Sequence, residues 1–212
     1  MYEFERREAA EPPRAKPFCT ARPAHDASLD ASMSAYLDQR GLSPGLAFNN
    51  GWYPSRMAGD ALPRVVIPAS SRQPGNHYWQ ARAMIETPQR FESPHGVARG
   101  DALVFVAPWQ VRAGPVVIVE GPMDALAAAG EGFPALALLG ATPPDEVIEY
   151  AAALLGGTLG ILVLDADGRV ARVAPRLSVC GVRIRLRLPY PYKDLAAAPF
   201  QERHRILIGD TP

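Results

Sequence analysis

Acidic residues follow two short apolar segments of the sequence. Glu120 comes directly after Val116–Val119, and Asp165 and Asp167 come directly after residues 161–164. If the two segments are neighbouring parallel strands, their carboxyl ends meet at one edge of a sheet and the three carboxylates converge. Three such groups repel one another, and a bound hard cation relieves that repulsion. The sequence therefore predicts a divalent metal site, best suited to Mg²⁺, at these positions.

The remaining residue types offer no competing chemistry. No arrangement of Ser, His and Asp, or of Cys and His, indicates a side-chain nucleophile. The two cysteines, Cys19 and Cys180, argue against a disulfide framework and against an internal four-ligand zinc site. The acids are thus the main candidates for catalysis.

The segments around the acids alternate between strand and helix patterns. Val116–Val119 is rich in β-branched residues, Gly121 permits a sharp turn, and Pro122 suits the first turn of a helix. The pattern predicts helices over residues 123–129, 142–155 and 169–177, which alternate with strands over residues 135–139, 161–164 and 182–188. This order predicts an α/β fold, a mostly parallel sheet with helices on both faces, over residues 113–212.

The preceding part of the chain has a different pattern. Residues 1–28 are rich in Pro, Ala and charged residues without periodicity, which is typical of a flexible arm or linker. A short helix around Met33 and Leu37, followed by strands over 64–67, 76–83 and 103–107, predicts a small α+β unit over residues 29–112.

Positive charge is concentrated in that α+β unit, although the whole chain has no net charge. Six arginines lie between positions 56 and 99, against three acids. On the strand that contains Tyr78 and Arg82, alternation places both residues on one face, which favours either nucleic-acid contact or an ordinary solvated face. Arg183, Arg185 and Arg187 alternate in the same way on the last predicted strand, which is compatible with a charged edge strand or with phosphate contact.

Several of these segments resemble those of DnaG-type DNA primases, whose polymerase core contains a Toprim domain. Four segments resemble the Toprim segments of that family: VEGPMDALAA from Val119, LLGATPPDEV from Leu138, LVLDADGRVARVA from Leu162 and PYKDLAAA from Pro191. Four earlier segments resemble those of the upstream core, in the family's order: AYLDQRGLSP, RVVIPASS, GNHYWQAR and QRFESPHG. The likeness covers about residues 29 to 205.

The resemblance implies a primase that makes short RNA primers on a single-stranded DNA template from ribonucleoside triphosphates, with Mg²⁺ or Mn²⁺. It implies Glu120, Asp165 and Asp167 as catalytic residues, with Asp194 as a further metal ligand. It also implies that nucleic acid or nucleotide contacts five basic residues: Arg64, Arg82, Arg90, Arg99 and Lys193. The cytoplasm of a bacterial or phage-infected cell is the expected location. The amino terminus lacks a secretory signal, and no apolar run is long enough to cross a membrane.

Two departures from the family pattern keep other functions open. Asp194 matches the first acid of the family's KDPDE-type segment, but the second acid is missing. The family's zinc-ribbon and helicase modules have no counterpart here, so a compact phage or plasmid form is expected, with a separate zinc-ribbon protein or replicative helicase as partner. A Toprim nuclease, or a non-catalytic module that binds single-stranded DNA or a replication protein, are the alternatives.

Overall fold

Two β-sheets form the framework of the protein. The computed structural model describes residues 22–57, 61–75, 77–95, 97, 99–110, 114–164 and 170–209. One four-stranded sheet lies in the amino-terminal half of the chain, and one five-stranded sheet lies in the carboxyl-terminal half.

The first sheet is antiparallel, with the order β1-β2-β3-β4. Its strands and the preceding helices are α1 (Asp30–Asp38), α2 (Pro44–Asn49), β1 (Tyr53–Arg56), β2 (Pro63–Pro68), β3 (Trp79–Ala83) and β4 (Phe91–Glu92). The Ser43 hydroxyl accepts a hydrogen bond from the Leu46 amide at 3.3 Å and so caps α2, which begins with Pro44. Met33 and Leu37 of α1 are fully buried, as their spacing predicts.

The second sheet has the order β5-β7-β6-β8-β9, in which only β5 is antiparallel to its neighbour. Its elements are β5 (Val104–Val106), β6 (Val116–Val119), α3 (Pro122–Gly130), β7 (Ala135–Ala137), α4 (Asp145–Leu155), β8 (Gly160–Val163), α5 (Val170–Val179), β9 (Ile184–Arg187) and α6 (Phe200–Ile208). The predicted α/β sheet is confirmed. The edge strand β5 precedes residue 113, so the sheet draws one strand from before the predicted boundary, and the domain division itself stays a prediction.

Helices cover both faces of this sheet because successive residues of its strands point to opposite sides. Val117 and Val119 belong to one buried cluster that also includes residues of α3. Ile118 and Leu162 belong to a second cluster that includes residues of α4 and α5. The central strands β6, β7 and β8 are therefore apolar throughout, as a doubly covered parallel sheet requires, whereas the edge strand β9 carries two arginines.

The two sheets are joined by backbone and side-chain contacts. Ser70, after β2, forms an isolated antiparallel bridge with Leu103, which precedes β5. The buried carboxylate of Asp101 accepts hydrogen bonds from the Ser71 hydroxyl and from the amide (3.0 Å) and Nε (3.1 Å) of Arg72. Arg72 also lies 3.9 Å from Glu149 of α4. The turn between β2 and β3 is thus fixed against the second sheet.

No helix in the described part of the chain combines the length and the apolar character that a membrane crossing needs.

Candidate active site

Glu120 lies at the carboxyl end of β6, where the alternation of strand and helix predicts it. Strand β6 pairs in parallel with β8 in a register that places Val119 beside Val163. Glu120 and Leu164 therefore follow their strands at equivalent positions, and the sequence continues from Leu164 to Asp165. Asp165 and Asp167 lie outside the described residues, so their convergence with Glu120 stays a prediction.

A cleft of about 290 Å³ opens between the two sheets beside Glu120. Its acidic wall contains Glu120 after β6, Asp124 in α3 and Asp194 after β9, and Lys193 lies beside Asp194. Its basic wall contains three arginines that lie after α1, in β3 and before β4: Arg40, Arg82 and Arg90. A second cleft, of about 460 Å³, is lined by the same three arginines. The two openings thus share one basic wall.

Aromatic rings orient the basic wall. The guanidinium of Arg82 lies 4.7 Å from the centre of the Phe91 ring, and its Nε donates to the Tyr36 hydroxyl at 3.3 Å. The guanidinium of Arg40 lies 5.3 Å from the centre of the same Tyr36 ring. None of Arg40, Arg82, Arg90 and Lys193 forms an ion pair with any carboxylate among the described residues. Their charges therefore remain available to an anionic ligand.

The loop after β9 holds Asp194 in the acidic wall. Asp194 accepts a hydrogen bond from the Ala197 amide at 2.8 Å, and Asp124, in the first turn of α3, accepts one from the Ala196 amide at 2.9 Å. Leu195 between them is buried in the main core. The loop is thus fixed to α3 on one side and to the core on the other.

Arg203 of α6 connects the loop that contains Asp194 to the segment that follows α1. Its side chain is buried, and its guanidinium donates to the carbonyl oxygens of Gly41 (2.7 Å), Arg40 (3.2 Å) and Ala196 (2.9 Å). Burial lowers the pKa of Arg203, and the nearby carboxylates of Glu131, Asp124 and Asp194 oppose that effect. One side chain therefore joins the backbone of the basic wall to the backbone of the acidic wall.

Two of the predicted basic contacts lie elsewhere. The Arg64 side chain is 0% exposed, and its guanidinium donates to the Gln89 carbonyl at 3.2 Å and lies 3.7 Å from Glu92. This buried position is incompatible with direct contact to nucleic acid, because β2 is covered on both faces. Arg99 donates to the Leu139 carbonyl at 2.7 Å and is absent from the lining of both clefts. Burial lowers the pKa of the Arg99 guanidinium.

Sequence reasoning missed two residues of the cleft, Arg40 and Asp124. Asp124 lies in the first turn of α3, four positions after Glu120, and this nearness in the sequence is a usable signal. Arg40 has no local signal, because it follows α1 and only the tertiary fold brings it to the same wall as Arg82. Tyr78, which the strand pattern places beside Arg82 on an open face, is instead buried in the main core.

The acids of the cleft suit Mg²⁺ or Mn²⁺ in donor chemistry, since carboxylate oxygens are the ligands these hard cations prefer. Within the described residues, however, no group of three or more His, Cys, Asp or Glu side chains is close enough to hold a metal ion. Glu120, Asp124 and Asp194 alone therefore do not form a metal site among the described residues, and a metal site that includes Asp165 and Asp167 stays a prediction.

Solved structures with the same fold are primases. The primase fragment of the bacteriophage T7 primase-helicase protein has a TM-score of 0.63 at 17% identity, over 82% of this chain and 72% of that chain. The DnaG primase catalytic domain bound to single-stranded DNA has a TM-score of 0.55 at 18% identity, over 77% and 67%. The Aquifex aeolicus primase, with its zinc-binding and RNA polymerase domains, has a TM-score of 0.58 at 16% identity, over 83% and 55%.

No protein-family model matches the sequence, and no curated protein matches it either. At 16–18% identity the likeness to solved structures concerns the fold. The order of the strands, the position of Glu120 and these superpositions lead to one conclusion: the chain has the fold of a DnaG-type primase core with its Toprim domain.

Proposed function

We propose that this protein is a primase-type nucleotidyltransferase that joins ribonucleotides on a single-stranded DNA template with the help of Mg²⁺ or Mn²⁺. The observation that carries the proposal is the cleft in which Glu120, Asp124 and Asp194 face Arg40, Arg82 and Arg90. Phosphoryl transfer requires carboxylates that can hold a cation and basic side chains that can hold phosphate. A DnaG catalytic domain with this fold was solved with single-stranded DNA, and T7 primase domains were solved in a complex of the T7 lagging-strand DNA polymerase with an RNA/DNA hybrid and dTTP.

Each wall has a separate task in this proposal. Arg82, Arg90 and Lys193 bind the phosphates of template and triphosphate, and Tyr36 and Phe91 keep Arg82 directed into the cleft. Arg40 extends the same surface toward the second cleft.

Glu120, Asp165, Asp167 and Asp194 would hold the divalent cation. When bound, the cation supplies electrostatic stabilisation of the attacking oxygen and of the leaving pyrophosphate. In this proposal the Glu120 carboxylate also accepts the proton of the attacking hydroxyl.

The missing second acid favours one other candidate, a non-catalytic module that binds single-stranded DNA. Ala196 occupies the position of that acid, and its amide is already engaged by Asp124. A thinner ligand set predicts that any activity requires a high metal concentration. A separate zinc-ribbon protein or replicative helicase would be a partner of either form.

A primer-synthesis assay distinguishes these functions. The protein is incubated with labelled ribonucleoside triphosphates, single-stranded DNA and Mg²⁺ or Mn²⁺, beside Glu120→Gln, Asp165→Asn and the control Glu146→Gln, an exposed acid of α4. Short labelled RNA that persists in the control and vanishes in the other two variants supports the proposal. Shortened template would instead indicate a nuclease, and DNA binding without any product would indicate the binding module.

A further inference from the structure

A cavity of the described protein lies away from the candidate active site. It measures about 490 Å³, within the range of ligand pockets, and adjoins residues that precede β6 and β7. Glu120 lies at the opposite, carboxyl end of β6, so the four residues of that strand, about 13 Å, separate the two places. The proposed primase reaction therefore makes no use of this cavity.

Aromatic and proline side chains form the walls of the cavity. Trp109, Phe133 and His204 line it together with Pro108 and Pro134. Trp109 is 63% exposed, whereas the other two tryptophans, Trp52 and Trp79, are buried. A large exposed aromatic residue beside a pocket is typical of sites that receive a side chain from another protein.

One acid, Glu131, lies in the lining and is nearly inaccessible. Its side chain is 2% exposed, and its Oε1 is buried without a hydrogen-bond partner among the described residues. The other oxygen lies 3.6 Å from Nδ1 of His204, which is charged only when protonated. An unpaired buried carboxylate oxygen costs stability unless a donor reaches it.

Neither the helix nor the nearby arginine supplies that donor. Glu131 caps the carboxyl end of α3, where the helix dipole opposes a negative charge. Arg203 donates no hydrogen bond to Glu131: its nitrogens Nη1 and Nη2 donate to the carbonyl oxygens of Gly41, Arg40 and Ala196, and its Nε has no hydrogen-bond partner among the described residues. A second cation would therefore satisfy the carboxylate and offset the dipole.

We propose that this cavity binds the guanidinium group of an arginine side chain presented by a partner protein, with Glu131 as the anionic acceptor and Trp109 and Phe133 as its walls. A guanidinium is planar, stacks on aromatic faces and donates two parallel hydrogen bonds to a carboxylate, so it fits these walls better than an ammonium does. The proposal does not depend on primase activity.

Fluorescence of Trp109 provides the test, because the other two tryptophans are buried. The full chain is titrated at pH 8 with N-acetyl-arginine amide and with the uncharged isostere N-acetyl-citrulline amide. Arginine amide is expected to bind about tenfold more tightly than citrulline amide, since only the former is charged. Trp109→Phe should abolish the signal and thereby identify its source.

Two variants decide the role of the acid. Glu131→Gln should bring the arginine-to-citrulline affinity ratio close to one, whereas Glu146→Gln, an exposed acid on α4, should leave it unchanged. Glu131→Gln keeps the shape of the side chain and removes a buried charge, so it is expected to fold, and a thermal melt verifies this. Equal affinities for the two amides, or an unchanged ratio in Glu131→Gln, would overturn the proposal.

A final variant separates a partner from the chain itself. The amino-terminal 21 residues contain Arg6, Arg7 and Arg14. If all three are replaced by glutamine in the full chain, the affinity for arginine amide should stay unchanged. A rise of several-fold would mean that one of these arginines competes for the cavity, which would contradict the assignment to a partner protein.

Discussion

Basic side chains of this protein fall into two groups that differ in their partners. Arg64 and Arg203 are buried and donate to backbone carbonyl oxygens. Arg82 and Arg90 line the cleft without an ion-pair partner among the described residues. Charge that is already neutralised stabilises the fold, whereas the cleft arginines can lose their counterions to an anionic ligand.

Replacing one cleft arginine should weaken nucleic-acid binding. Arg82→Ala removes a cation that two aromatic side chains hold in place, so affinity for single-stranded DNA is expected to fall about tenfold. The slope of log affinity against log salt concentration should also fall by about one, since one fewer phosphate is neutralised. Arg172→Ala, an exposed arginine of α5, serves as the control. Equal affinity and slope in both variants, measured by fluorescence anisotropy, would reject the role of Arg82.

The buried carboxyl of Glu131 should make stability depend on pH. Burial raises its pKa from the ordinary value of 4.5 to about 7, although Arg203 acts to lower it. The folded protein thus holds the proton more tightly than the unfolded chain. Stability should therefore decline as pH rises from about 4.5 to about 7 and then level off, by at most about 3 kcal/mol for a shift of this size.

Glu131→Gln removes this titration. The variant should resemble the original protein near pH 4.5 and exceed it in unfolding free energy at pH 8, as measured by urea denaturation. A constant difference between the two proteins at all pH values would show that Glu131 does not titrate in this way.

At the scale of secondary-structure elements, α6 connects parts of the chain that are remote in sequence. Arg203 reaches Gly41 and Arg40 at the end of α1, and it reaches Ala196 in the loop of Asp194. Leu207 of the same helix is buried in the main core. Helix α6 therefore holds the acidic loop in place without lining the cleft of Glu120 and Asp194.

Arg203→Lys should destabilise the protein by about 2 to 4 kcal/mol, because a lysine cannot reach three carbonyl oxygens and leaves some of them unpaired. The control is Arg205→Lys on the same helix, an exposed residue whose ion pair with Glu202 is 3.0 Å long. That change is expected to cost less than about 0.5 kcal/mol. Urea denaturation of both variants measures the difference, and equal losses would contradict the bracing role of Arg203.

Local sequence patterns predict the elements of the second sheet but not all of those that surround it. Val116–Val119 and residues 161–164 are continuous apolar runs, and each ends at an acid, so both strands and the position of Glu120 could be predicted. Helix α6 could not be predicted in this way, because one of its two buried residues, Arg203, is charged. The helix therefore lacks a clear apolar face in the sequence.

The basic side of the cleft is harder to predict for a related reason. Arg40 lies 42 positions from Arg82 in the sequence, and only tertiary packing brings them to one wall. Arg64 is predicted to contact nucleic acid, because nothing in the local sequence of β2 indicates that this arginine is buried. Its burial beside Glu92 becomes visible only in the folded structure. Sequence patterns report local periodicity, whereas charge pairing across a fold depends on distance.

For the whole molecule, the boundary between the two sheets carries polar contacts at several points. Ser70 and Leu103 form a backbone bridge. The buried carboxylate of Asp101 accepts hydrogen bonds from Ser71 and Arg72 in the turn after β2. Arg72 also lies over the ring of Tyr150 of α4, 5.4 Å from its centre. These contacts join the first sheet to the second through residues other than those that α6 contacts.

Loss of the Asp101 charge should weaken this boundary. Asp101→Asn replaces one of the two acceptor oxygens by a donor, so either the Ser71 hydroxyl or the two donors of Arg72 lose their acceptor and a loss of about 2 to 3 kcal/mol is expected. Burial would raise the pKa of Asp101, but the hydrogen bonds from Ser71 and Arg72 outweigh it and lower the pKa.

The contribution of Asp101 should therefore be present above about pH 4 and fade as pH falls through its lowered pKa. Thermal melts at pH 7 and pH 3 should show a large difference between the protein and Asp101→Asn at pH 7 and a smaller one at pH 3. Asp38→Asn, an exposed acid at the end of α1, should show little difference at either pH. A difference for Asp101→Asn that does not shrink in acid would contradict this account.

The contacts of Arg72 and of Arg203 have a consequence for how ligands enter. Because Arg72 and Arg203 each connect parts of the two walls' supporting elements, the walls of the cleft can separate only if buried polar groups lose their hydrogen bonds. Rotation of exposed side chains such as Arg40 and Arg90, which takes nanoseconds or less, is then the motion that would admit the proposed nucleotide. Capture should accordingly keep pace with diffusion and slow in proportion to solvent viscosity, with no separate millisecond closing step.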